Sequence, residues 1–225
     1  MFSGAGILSL PAAYLLAELL VCAPSAAPEV VVKFKNTPPQ LDQKKSSQDL
    51  ARMQAHSTSP IYGTEFPIIG GLTASEFQIS YGMQFANISY PSLGQVCIHP
   101  KTIEVTLTYT PVIYVASDYP PGSCQYGLTE EHETRHVSVD VITATGFLPQ
   151  IKQAASFAVS QWRGTGPVHE SQMEAVQNGL LKQLSAPMKK QLDQFQQTRR
   201  LRQQAVDSRE EYRRLSEACP HERLR

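Results

Sequence analysis

The strongest chemical signal in the chain is five consecutive residues, His132-Glu133-Thr134-Arg135-His136. Two histidines four residues apart on an α-helix share one face and are separated by about 6 Å along its axis, so both imidazoles can bind one Zn²⁺. Glu133 lies about 100° round the helix from His132 and reaches toward a water on the ion's open position instead. Such an ion lowers the pKa of that water toward about 7, and a carboxylate placed there can accept its proton for attack on a carbonyl. With so few histidines the pattern arises by chance only about 0.01 times in a chain of this composition, although two exposed surface histidines are the competing reading. The remaining residues offer no Gly-rich phosphate loop and no Ser-centred nucleophile elbow.

Such a motif needs a helix and a platform to hold it. After Pro120-Pro121-Gly122, Ser123 is a credible N-cap for a helix running from Cys124 to about Gly146. Gly146 and Pro149 then predict a break, with a second helix over residues 150–162 and a third from near Val168 to Pro187. A fourth, from Met188 to about Ala218, has a thin apolar seam of Met188, Leu192, Phe195, Leu201 and Ala205. Upstream, residues 65–119 are rich in Val, Ile, Thr and Tyr, with turns at Gly70-Gly71, Pro91 and Pro100. There Ile103, Val105, Leu107 and Tyr109 alternate with Glu104, Thr106 and Thr108, which puts one face in a core and one in water. The expected fold is therefore α+β: a small antiparallel sheet followed by the HExxH helix and a helical C-terminal region.

The stretch formed by Cys97, the strand Val112 to Ala116, Gly122-Ser123-Cys124 and Glu131 to Val137 resembles zincin-type metalloproteases, in particular small secreted zinc-dependent proteases of bacteria. The resemblance covers about residues 62–185. It implies a zincin-like fold with His132 and His136 as zinc ligands and Glu133 as general base. No motif for a third ligand is recognisable. If the chain folds back antiparallel after Pro149, Glu170 arrives beside the metal with Glu174 one turn on, resembling the carboxylate pair that supplies a ligand and its supporting acid in gluzincins; His169 is the adjacent competitor. Asp140 lies about 12 Å along the axis from His132, too far to share the ion, and suits a hydrogen bond from His136 that fixes its tautomer.

Lys and Arg number 20 and Asp and Glu number 20, so no global basic field exists to capture nucleic acid. From Met188 to Arg225, however, ten Lys/Arg stand against six Asp/Glu. Ile7 to Ala23 is apolar except for Glu18 and is followed by small residues, as in an export signal, and it offers the chain's one membrane-directed segment. Removal of that signal would take Cys22 with it and leave Cys97, Cys124 and Cys219. A Cys97–Cys124 disulfide is then expected, worth about 3 kcal/mol in an oxidising compartment. The organisation expected is a signal over 1–27, a polar linker or arm over 28–60, a metal-binding domain over 61–186 and a separable basic helix over 187–225. The function expected is that of an exported zinc metalloprotease, secreted or periplasmic in a bacterial envelope, acting on a peptide or protein substrate. The alternatives are a catalytically silent zinc-binding envelope protein that takes a partner on its basic tail helix and, if the chain is not exported, a helical interaction protein.

Overall fold

The alternation seen in the sequence makes β4, Gln95–Val115, the spine of the sheet, with Ile103, Val105, Leu107, Tyr109, Ile113 and Val115 buried on one face. The computed structural model describes residues 22, 26–55, 69–160, 162 and 164–219. Strand β3, Gly71–Tyr90, runs antiparallel along one whole edge of β4, from Gly71 opposite Val115 to Tyr90 opposite Gln95. A strand has two edges, so the remaining strands share the other. There β5, Thr165–His169, pairs antiparallel with the first residues of β4, while β1, Glu29–Asn36, and β2, Gln40–Asp42, both pair parallel with it further along.

The expected small antiparallel sheet is thus corrected: this is a five-stranded sheet whose β1 and β2 run parallel to β4, with helices following. Alternation reports that one face of a strand is buried, and it says nothing of the direction of a partner distant in sequence. The same pairing overturns the polar arm at 28–60, because β1 and β2 join the sheet and Leu50 of α1, Ser47–Ala55, is fully buried.

Helix α2, Cys124–Val159, begins where expected, with the Ser123 hydroxyl accepting from the Tyr126 amide. It does not stop at Gly146 but continues through Pro149. An interior proline costs about 3 kcal/mol. Phe147, Ile151 and Val159 are buried along one stripe beyond Gly146, at about 1.5–3 kcal/mol each, which outweighs that cost.

The C-terminal region divides into α3, Met173–Gln183, α4, Ser185–Val206, and α5, Arg209–Ala218. Pro187 falls in the first turn of α4, where it is tolerated, and marks no domain boundary. Met188 and Phe195 of α4 are buried, and the Phe195 ring meets Phe77 of β3 and Phe147 of α2 edge-on. The tail is therefore packed on the core, contrary to the separable helix expected over 187–225.

The disulfides are Cys22–Cys97 and Cys124–Cys219, not Cys97–Cys124. Cys97 lies near the start of β4 and α2 begins beyond its far end, on the order of 50 Å away along the strand, whereas a disulfide needs Cα atoms about 6 Å apart. Most of the expected signal, 1–21 and 23–25, lies outside the described residues. Non-reducing peptide mapping is expected to recover both observed pairs from a mature chain that retains Cys22. A Cys97–Cys124 peptide, or an N-terminus at Ala26, would overturn this pairing. Two disulfides fit an oxidising compartment. Among the described residues no helix is long and apolar enough to cross a membrane.

Candidate metal centre

The buried face of α2 carries His132, Glu133 and His136 inward together, with His132 4% and His136 8% exposed. Across from them α4 ends at Asp207, whose backbone leaves the helical region (φ −83°, ψ 44°), and Ser208 caps the start of α5 by accepting from the Glu211 amide. That break turns the Asp207 carboxylate onto the histidines.

Three ligand-type atoms meet there. His132 Nε2 and His136 Nε2 lie 3.1 Å apart, and Asp207 Oδ1 is 3.2 Å from the first and 3.1 Å from the second. Ligands about 2.0–2.1 Å from a tetrahedral Zn²⁺ stand about 3.3 Å from one another, so the observed triangle is the size that ion requires. The far side of each ring is also held. His136 Nδ1 meets Gln203 Oε1, and His132 Nδ1 lies 3.4 Å from Glu211 Oε1. The Gln203 acceptor at His136 Nδ1 favours the tautomer that leaves that Nε2 lone pair turned to the centre, while His132 Nδ1 has the Arg135 guanidinium at 3.5 Å beside the Glu211 carboxylate.

The electrostatics suit a cation. Burial pulls the His136 imidazole down, but the Asp207 hydrogen bond and the charges of Glu133 and Asp207 outweigh it and bring it up to about 9. Burial likewise raises the Asp207 carboxyl, yet the hydrogen bonds from both histidines hold it well below the usual carboxylate range. A cation entering must displace any proton that these groups hold.

Glu133 sits beside the triangle, 5% exposed, with its carboxyl raised chiefly by burial. Its Oε2 accepts from the Thr73 hydroxyl at 2.8 Å. Thr73 comes from the start of β3, which approaches α2 so closely that a Cβ on Gly71 would lie 2.7 Å from Glu133 Oε1. Only glycine permits that approach, and it fixes where the base points.

The sequence expectations divide here. His132, Glu133 and His136 converge as expected. Glu170 and Glu174 do not: both are exposed, in the segment that follows β5 at the start of β4, whereas Thr73 meets Glu133 at the far end, opposite Ile113. His169 is exposed and bonded to Ser171 instead. Asp140 does not accept from His136. It is fully buried, gripped by Arg199 Nε at 2.6 Å and Nη2 at 3.0 Å, by the Tyr109 hydroxyl at 3.1 Å and by Gln203, and it anchors α4 to α2. Asp207, Gln203 and Glu211 were not anticipated from the sequence. Ser208-Arg209-Glu210-Glu211 has the S-x-x-E spacing of a helix start, which signals a break just after Asp207.

No protein-family model, curated protein or solved structure matches this chain. The geometry of the centre and the motif itself are what speak to function.

Proposed function

We propose that the protein is an exported zinc metallopeptidase in which His132, His136 and Asp207 hold the ion and Glu133 is the general base. The observation that carries this reading is the zinc-sized triangle of His132 Nε2, His136 Nε2 and Asp207 Oδ1 with a buried carboxylate beside it. A bound Zn²⁺ would supply Lewis acidity and an acidified water. Glu133, buried and aimed by Thr73, is placed to take a proton from an attacking water and return it to the leaving amine. Tyr212 donates from its hydroxyl to Asp207 Oδ1 at 3.1 Å, and burial followed by the Asp207 charge keeps the phenol protonated. That donation holds Asp207 Oδ1 in place facing both histidines.

The substrate class follows from the strand that carries Thr73. Among the described residues no strand pairs with the outer edge of β3, whose first residues lie against Glu133. An extended peptide can add to such an edge by main-chain hydrogen bonds, so unfolded or loosely structured protein is the expected substrate.

Zinc content by elemental analysis and hydrolysis of an unstructured protein such as casein test the proposal together. Wild type is expected to hold about one zinc per chain and to cleave, while Glu133→Gln keeps the zinc and loses at least about 100-fold in kcat, since an amide cannot accept the proton. Zinc without hydrolysis in wild type would favour a silent zinc-binding protein. A zinc-free wild type would end the metallopeptidase reading.

A further inference from the structure

We infer that the Cys124–Cys219 disulfide is a redox latch on the metal centre, so that the affinity for zinc depends on the oxidation of this one bond. The inference deepens the metallopeptidase reading and rests on it. The two cysteines close a covalent loop containing His132, His136 and Asp207. Cys124 is the first residue of α2, eight residues before His132 or about 12 Å along the axis. Cys219 directly follows α5, the helix that begins two residues after Asp207. The bond therefore ties the end of the element bearing one side of the centre to the end of the element bearing the other.

Helix α5 lies at the surface of the fold. None of its residues is buried. Among its attachments are the pairs of Glu211 with Arg135 and His132, Arg214 with Glu131, and Tyr212 with Asp207. The Arg214–Glu131 pair is exposed on both sides and contributes little, whereas the Glu211 and His132 side chains are 11% and 5% exposed. Yet two of the attachments touch the centre itself: Glu211 orients His132 through Nδ1, and Tyr212 steadies the Asp207 oxygen that faces both histidines. With the disulfide broken, α5 loses its covalent tie to α2 and both contacts are weakened. Asp207 stays on α4, which is anchored separately through Gln203 and Arg199. The centre is then weakened rather than abolished.

The two disulfides differ in access. Each bond has one buried cysteine, Cys97 and Cys219, and the difference lies in their partners: Cys124 is exposed, whereas Cys22 is half-buried. A thiolate of a dithiol reductant can attack Cys124 Sγ, and Cys219 Sγ leaves as a thiolate and takes up a proton. The second thiol of the reductant then displaces Cys124 from the mixed disulfide. Two electrons have passed to the protein, which gains two thiols, and the reductant departs as a cyclic disulfide.

The test measures zinc affinity of the full chain by competition with a chelating indicator. Oxidised wild type is compared with Cys124→Ser/Cys219→Ser and with Cys22→Ser/Cys97→Ser. A second latch-open sample avoids substitution: wild type reduced briefly with dithiothreitol, alkylated at Cys124 and Cys219 with iodoacetamide, checked by mass for an intact Cys22–Cys97 bond, and freed of reagents. Both latch-open samples are expected to bind zinc about 10–100-fold more weakly, the loss typical of removing orienting partners, and the Cys22/Cys97 variant to stay within about threefold of wild type. Wild-type affinity in the alkylated sample overturns the latch and leaves the metal centre standing. An equal loss in the Cys22/Cys97 variant also overturns it, because the effect would then belong to general stability. A zinc-free oxidised wild type overturns the centre itself, and the latch with it.

Discussion

Asp207→Ala is expected to cost the protein its zinc, while Glu170→Ala leaves the zinc content unchanged. Asp207 Oδ1 faces both histidine Nε2 atoms at 3.1–3.2 Å and supplies the one negative ligand of the triangle. Removing a partner that merely orients a ligand lowers metal affinity by about 10–100-fold, and removing a ligand must exceed that. Two neutral imidazoles would then hold the ion alone, without the carboxylate that offsets its charge. Hydrolysis should fall in parallel and should not return at zinc concentrations that saturate wild type. Glu170 is exposed in the segment after β5 and touches none of the three. Elemental analysis of the two variants decides between these carboxylates. Full zinc occupancy in Asp207→Ala, or its loss in Glu170→Ala, would return the third ligand to the position that family resemblance implied.

Truncation after Ala186 is expected to give an unfolded or insoluble product without zinc. The deletion removes Met188 and Phe195, both essentially fully buried, and uncovers Phe77 and Phe147 against which Phe195 packs. Emptying a site of that size costs about 3–5 kcal/mol for the phenylalanine and about 2–5 kcal/mol for the methionine. It also strips Asp140 of Arg199 and Gln203, leaving the carboxylate with the Tyr109 hydroxyl alone in a core opened to water. Each of those two side-chain costs is a large share of the about 5–15 kcal/mol that stabilises a whole domain. Circular dichroism and zinc content of the fragment check the outcome, and a folded, zinc-binding product would show the tail to be an accessory after all.

The parts of this protein that the sequence determined by itself are those in which cause and effect lie within a few turns of chain. The spacing of His132, Glu133 and His136, the cap at Ser123 and the start of α2 depend on backbone geometry over fewer than fifteen residues, and they stand as read. So does the inward face of β4, because alternation is itself the burial pattern. Tertiary structure decided the rest. Asp207 lies 75 residues from His132, and it becomes a ligand-type neighbour because Phe195, Gln203 and Arg199 dock α4 on α2 before the helix breaks. The capping spacing at Ser208 marks the break but not what the freed carboxylate will face. Pro149 reads locally as a stop, and only the stripe of Phe147, Ile151 and Val159 pressed into the core overrides it. Cysteine pairing was inaccessible for the same reason: spacing along the chain made Cys97 and Cys124 look close, while the length of β4 puts them at opposite ends of the sheet and leaves each to bond a cysteine far away in sequence.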